Sequence, residues 1–375
     1  MKIGIVGWNG KKNVGDDVMT SVIINYFIGR YGDDLEFRFF AGDNNLAEYM
    51  DSDRRSIITT LSFYDIIDRV KLVRRFFMYY VYPKIFVNNL DIIIIGGGSI
   101  IHNVPTSTVY SRIIDAAKKA TKNIRVASLG VSIGPFKKDN EYYCANMFLR
   151  KLDSLVVRDK RSLTLGKEME LRCNVSLAAD LAFLLPKFVN LDTQRTPVNF
   201  EVMGISLRSG YFSTDRRKKY KSIVEHWLNA DNERQVWLFS FSELPGQSDY
   251  LCCEELCESV SLEYRNRIKF IRYSLNPIDF FVLIRQCTII LCMRLHAFII
   301  GYAVKTPVLV DAYHQKCIDL SLDLGIESSF LIRDKTPNEI MDLVHTILEN
   351  GFEFKKYENI VDDALVNFEY FEGRE

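Results

Sequence analysis

The stretch Thr288-Ile289-Ile290-Leu291-Cys292-Met293-Arg294-Leu295-His296-Ala297-Phe298-Ile299-Ile300-Gly301-Tyr302-Ala303 decides how this chain is read. The apolar run from Cys287 to Cys292 fits a strand buried on both faces. Ala297 to Ala303 reads as a helix packed closely through small residues. Arg294 and His296 stand at the turn between them. An α/β fold places ligands at such strand–turn–helix junctions, where the helix offers free N–H groups and the positive end of its dipole. An arginine there adds a fixed cation, and a histidine adds a titratable proton carrier. Together they suit a phosphorylated or carboxylated substrate that must gain or lose a proton. The structural alternative is that Arg294 pairs with a carboxylate of the fold and His296 is a satisfied core histidine.

The same alternation extends through the chain. Lys2 to Val6 reads as a strand, Asn13 to Asp17 as a polar loop, and Val18 to Tyr31 as a helix. Leu35 to Phe40, Ser56 to Leu61, Asp91 to Ile95, Arg125 to Ser132 and Ser154 to Val157 read as further strands. Pro186 to Asn199 is polar and is the best linker candidate. A second series follows, with strands at Val202 to Leu207, Val236 to Phe241, Ile268 to Ile271, Thr288 to Leu291 and Pro307 to Val310, then a helix at Ile340 to Leu348. This pattern predicts an α/β protein with doubly wound parallel sheets. The predicted domains are residues 1–188 and 200–350, with a tail, 351–375, that packs back on the first domain.

The length of 375 residues agrees with two domains at ~100–200 residues each. Hydrophobic residues make up 48% and charged residues 26%, which is an ordinary soluble globular composition. The 48 basic and 48 acidic residues cancel, which argues against a general nucleic-acid binder. Eight cysteines form no secreted framework, and Cys252, Cys253 and Cys257 lack a matching second pair for zinc. No metal is expected, and the thiols read as reduced, in a cytoplasmic protein. Met1 to Gly7 reads as a strand and not a signal peptide, and no apolar run reaches the ~20 residues that span a bilayer.

Arg69 to Phe86 interleaves basic and aromatic residues, as interfacial helices do. It reads either as a peripheral membrane contact or as a surface helix with its aromatic side in the core.

Other polar positions follow predicted strands, whose carboxyl ends face the ligand crevice of an open parallel sheet. In Asn13-Val14-Gly15-Asp16-Asp17, Gly15 permits a tight turn or a close approach. Asp16 or Asp17 is either a helix N-cap or a base and sugar-hydroxyl acceptor. Gly96-Gly97-Gly98-Ser99 could cradle an anion with backbone N–H groups. It lacks the spacing of a dinucleotide fingerprint, and no Walker-type GxxxxGK[ST] occurs. Arg208 and Arg294 each end a strand of the second series, which favours a ligand carrying two or three negative charges. Tyr313 and Lys316 add a hydroxyl and another cation.

Taken in order, these pieces resemble the polysaccharide pyruvyl transferase family over nearly the whole length. They are Asn13 to Asp17, Gly96 to Ser99, Ser128 to Pro135, Val157-Arg158-Asp159 with Ser162, Ala179-Asp180-Leu181-Ala182-Phe183, Gly204 to Arg208, and Arg294-Leu295-His296-Ala297 with Pro307, Tyr313 and Lys316. Leu181 stands where the family usually has proline. The resemblance implies two Rossmann-like domains facing across a cleft, as in GT-B glycosyltransferases. The first domain would take the acceptor and the second phosphoenolpyruvate. It implies a pyruvate ketal as product on a sugar of a cell-surface polysaccharide or its precursor, with no cofactor. By the same resemblance His296, Arg294, Arg208, Asp16 and Asp17 would be catalytic. Asn13, Gly15, Gly97, Gly98, Ser99, Arg158, Leu295, Tyr313 and Lys316 would bind substrate.

The residues fit that chemistry on their own terms. Phosphoenolpyruvate carries a phosphate and a carboxylate, and bidentate arginines clamp both. Ketal formation moves protons onto carbon and off two hydroxyls, which a histidine can serve as acid and base in turn. Two alternatives stay open at this level: a GT-B glycosyltransferase using a nucleotide-sugar, and a non-catalytic scaffold of a polysaccharide assembly complex.

Overall fold

The computed structural model describes residues 1–32, 34–40, 58–60, 76–102, 108–191, 199–274 and 276–372. The chain divides into two compact units, each built on its own parallel sheet.

The first unit holds seven strands: β1 (Lys2–Val6), β2 (Glu36–Phe40), β3 (Ile58–Thr60), β4 (Ile92–Ile101), β5 (Arg125–Ile133), β6 (Ser154–Val157) and β7 (Val175–Leu177). Their order is β3-β2-β1-β4-β5-β6-β7, and every pair is parallel. The order reverses between β1 and β4, which makes their carboxyl ends the topological switch point. The isoleucines at 92–95 are fully buried, as a strand covered by helices on both faces requires.

The second unit holds β8 (Val202–Ser206), β9 (Gln235–Ser240), β10 (Ile268–Arg272), β11 (Ile289–Cys292) and β12 (Val308–Val310), in the order β10-β9-β8-β11-β12. Its switch point lies between β8 and β11, where Ser206 pairs with Cys292. Arg208 and Arg294 therefore leave neighbouring strands at the same sheet edge. The helix Thr214–Ala230 buries Tyr220, Ile223, Val224, Trp227 and Leu228 in the core of this unit.

Four sequence readings change. Asn13 to Asp17 is not a loop, because the helix already starts at Val14 and runs to Tyr31. Asn13 does the capping, its Oδ1 accepting from the Gly15 N–H at 3.2 Å. That leaves Asp16 and Asp17 inside the first turn, where the dipole favours acidic residues. The glycines of Gly96 to Ser99 do not follow a strand; they belong to β4, and Gly96 and Gly98 pair with Leu129 and Val131 of β5. Backbone groups engaged in a ladder are not a free anion cradle.

The domain limits also shift. Lys12–Gly15 groups with the second unit, because Val14 N–H donates to the Phe241 carbonyl at 3.0 Å and Asn13 bridges Ser242 at the end of β9. At the other end, Val361–Glu375 groups with the first unit, while the preceding residues stay with the second. Phe368 stacks on Tyr26 with centroids 3.7 Å apart, and Asn367 donates to the Ala179 carbonyl at 3.0 Å. The polar–aromatic composition of the tail is what this seat requires. The change of unit falls at Phe188–Val189, within the stretch read as a linker; residues 192–198 of that stretch lie outside the described residues.

Candidate functional site

In the second unit, β11 ends at Cys292, and Arg294 takes the N-cap position of the helix Leu295–Ala303 in extended conformation. His296 thus sits in the first turn of that helix, beside Leu295. Its imidazole lies against Gly15, so that a Cβ on Gly15 would stand only 2.1 Å from Nδ1. A glycine is therefore needed at 15 for close approach, not for an unusual φ. The structure brings Asn13, Gly15, Arg294, Leu295 and His296 together in one unit.

Arg208 follows β8. Its guanidinium lies over the Tyr313 ring at 4.3 Å and the Tyr211 ring at 5.2 Å, and it donates to the Tyr313 hydroxyl. The two rings are 4.8 Å apart, so the cation is held by aromatic faces and one phenol. Among the described residues no carboxylate pairs with it. Burial pushes the Tyr313 phenol up, while the charges of Arg208 and Arg294 both oppose that shift. Tyr313 therefore feels both guanidinium groups. Lys316 lies in the first turn of the helix Gln315–Asp323, and its N–H donates to His314 Nδ1 at 3.2 Å.

Arg294 departs from the free anion clamp read from the sequence. It makes a two-pronged contact with Asp249, Nε to Oδ2 at 2.8 Å and Nη2 to Oδ1 at 2.5 Å. Asp249 is fully buried. The structural alternative for Arg294 is thus present in the fold, and the sequence reading missed the carboxylate. The signal was slight: Asp249 follows a Pro-Gly turn and precedes the helix Tyr250–Ser259, where it passes for an ordinary cap.

The remaining candidates belong to the first unit. Asp17 is fully buried, and its Oδ1 accepts from the Gly10 N–H at 2.8 Å, so it closes the loop after β1. Asp16 is only half-buried and lies over Gly98, where a Cβ would stand 2.7 Å from Oδ1. Gly97 makes similar room for Met19. Both glycines have positive φ, 34° and 88°, which side-chain-bearing residues rarely adopt. Hence the triplet serves close packing of β4 on the helix Val14–Tyr31.

Arg158 follows β6. It donates to Asp180 Oδ2 at 2.5 Å, to Ser132 Oγ at 3.1 Å and to the exposed Ser99 Oγ at 3.4 Å. Both members of the Arg158–Asp180 pair are more than nine-tenths buried. Asp180 Oδ1 also accepts from the Ala182 N–H at 2.9 Å and caps the 3₁₀ turn Leu181–Leu184. The proline usual at 181 is therefore not needed for this turn. Arg158 is first of all a buried structural cation with one edge turned toward Ser99.

None of the eight cysteines is in a disulfide. Burial pushes the thiols of Cys253, Cys287 and Cys292 well up, so they are poor nucleophiles. Among the described residues no group of three or more His, Cys, Asp or Glu could hold a metal ion.

Residues 13–315 match the family model described as polysaccharide pyruvyl transferase. A curated relative, the amylovoran biosynthesis protein AmsJ of Erwinia amylovora, is 23% identical over 248 residues. The match takes in 62% of this chain and 60% of that protein's length. Among solved structures, a UDP-GlcNAc 2-epimerase from Methanocaldococcus jannaschii aligns with a TM-score of 0.64 at 12% identity, covering 100% of both chains. A UDP-GlcNAc 2-epimerase from Neisseria meningitidis bound to UDP-GlcNAc aligns with a TM-score of 0.60 at 11% identity, again over 100% of both. At such identities the likeness shows the fold alone, a two-domain α/β architecture of GT-B type.

Proposed function

The chain belongs to the polysaccharide pyruvyl transferase family, and we propose that it moves a pyruvyl group from phosphoenolpyruvate to a sugar of a cell-surface polysaccharide or its precursor. One sugar hydroxyl adds to C2 of the donor while the methylene carbon takes a proton and becomes a methyl group. The C2–O bond to phosphate then breaks, and a second hydroxyl closes the ketal. Of the two hydroxyl protons, one ends on the methyl group and the other leaves with the phosphate.

The observation that carries this reading is the grouping at the β8/β11 switch point: a guanidinium resting on two tyrosine rings with no carboxylate partner among the described residues, a second guanidinium, and a histidine in a helix first turn. Fixed guanidinium groups hold the anionic donor and stabilise charge on the departing phosphate. His296 moves the proton to carbon or to the leaving group. In the first unit, Asp16 and Ser99 would accept and orient acceptor hydroxyls; Asp17 is left out of this role, since it is fully buried and accepts from the Gly10 N–H.

The test is phosphate release from phosphoenolpyruvate across hexose glycosides and diphospholipid-linked oligosaccharides. Release with no acceptor in the panel, together with thermal stabilisation by nucleotide-sugars alone, would favour a glycosyltransferase. Arg208→Ala is expected to weaken phosphoenolpyruvate binding tenfold or more, at ~1.5–3 kcal/mol per charge-assisted contact. Arg208→Lys should restore little, because an ammonium lacks the planar fork that stacks on Tyr211 and Tyr313. Titration calorimetry of both variants checks this.

The reading also includes contact with the cytoplasmic face of a membrane. No described helix is long and apolar enough to cross one. Residues 69–75 lie outside the described residues, but Phe76 and Tyr80 are 62% and 55% exposed and lie against each other at 5.2 Å. Arg112 covers Tyr80 at 5.7 Å, so an aromatic pair and a cation share one surface. Tyr82 and Phe86 instead enter the core, as the surface-helix reading expects of one side. Wild-type protein should sediment with anionic vesicles, and Phe76→Ser/Tyr80→Ser should sediment several-fold less. No sedimentation of the wild type would remove the membrane from the proposal.

A further inference from the structure

We infer that Asp249 is the positioning residue of this site: it sets the direction in which Arg294 meets the donor and leaves Arg208 as the net cation that binds it. The inference rests on the donor-site reading above. Asp249 accepts four hydrogen bonds, and each comes from a segment at the carboxyl edge of the second sheet. Ser209 N–H, next to Arg208 and after β8, donates to Oδ1 at 3.0 Å. Ser242 N–H, after β9, donates to Oδ2 at 3.1 Å. Arg294, after β11, supplies the other two. The backbone N–H of Asp249 also donates to the Ser242 carbonyl at 2.9 Å. Ser242 in turn bridges Asn13, two residues before the glycine on which His296 rests.

A carboxylate with four donors, fully buried, is saturated and held in one orientation. It engages Nε and one edge of the Arg294 guanidinium, so the remaining Nη1 edge has a single direction. Charge follows the same division. The Asp249 carboxylate offsets Arg294, whereas Arg208 rests on neutral tyrosines and keeps its full charge. A bound trianion therefore takes its electrostatic attraction mainly from Arg208 and its alignment from Arg294. Removing the carboxylate should harm alignment, and with it turnover, more than affinity.

The experiment uses Asp249→Asn and Asp249→Glu in the full chain. Asparagine keeps the shape and accepts only part of the contacts; glutamate keeps the charge. In Asp249→Asn the turnover number should fall tenfold or more while KM for phosphoenolpyruvate changes less than about threefold, and Asp249→Glu should recover part of the loss. Adding Arg294→Lys to Asp249→Asn should cost little beyond either single change, since Asp249 acts through Arg294. A second readout needs no turnover: the Arg294 Nε–H resonance, assigned by its loss in Arg294→Lys, should be slow to exchange in wild type and broadened or lost in Asp249→Asn. An unchanged resonance, or losses in the double variant that simply multiply, would overturn the inference. Were wild type to release no phosphate from phosphoenolpyruvate, the pyruvyl reading would fall, and the resonance would still decide whether Asp249 holds Arg294.

Discussion

Replacing His296 with asparagine is expected to lower turnover of phosphoenolpyruvate by roughly 10²–10⁴-fold, the range typical for loss of a general acid or base. Asparagine keeps the size and one hydrogen-bonding position of the ring but cannot exchange a proton near neutral pH. Donor affinity should change much less than in Arg208→Ala, because the guanidinium groups and not the imidazole carry the charge that meets the anion. The contact with Gly15 supplies a second arm. Gly15→Ala puts a methyl group where the imidazole lies, 2.1 Å from Nδ1, and the ring must turn away. It should therefore lose turnover as His296→Asn does, with cooperative unfolding retained. Steady-state phosphate release and a melting curve decide both. Turnover near wild type in His296→Asn would make the histidine structural.

Asp180→Ala is expected to destabilise the first unit by about 3–5 kcal/mol, the usual consequence of leaving a buried charge without its partner. Arg158 would lose its counter-ion, and the Ala182 N–H would lose its cap. The other acceptors of Arg158, the Ser132 and Ser99 hydroxyls and the Met19 sulfur, are neutral and cannot replace a carboxylate. Replacing both members, Arg158→Met with Asp180→Leu, should cost clearly less than the sum of the single losses, because no unpaired charge then remains. Urea unfolding followed in the first unit would show this as a partial return of the midpoint. Additive losses would mean that the pair is not coupled as the geometry indicates.

The α/β class and the two-sheet plan were legible in the chain because both sheets are parallel. Parallel strands are buried on both faces and read as short apolar runs, such as Ile92 to Ile95 and Ile289 to Cys292, separated by helical patterns. The strands Lys2–Val6 and Ser154–Val157 have the bounds read from sequence. The short strand Val175–Leu177 was not legible, since its residues are partly exposed and only Val175 and Leu177 are apolar. Family membership was also legible, because it depends on residue identity in order along the chain.

Contact between distant residues was decided only in the folded molecule. The sequence by itself placed Arg208, Arg294 and His296 at strand ends, and local pattern suffices for that. It could not say that Asp249, 45 positions before Arg294, neutralises one of the two arginines. Nor could it say that Gly15 makes room for His296, or that Asp17 is fully buried while Asp16 is half-buried. Local periodicity records which face of an element is apolar. Charge pairing and close approach depend on which loops the sheet order brings to one edge, and those loops come from separate parts of the chain.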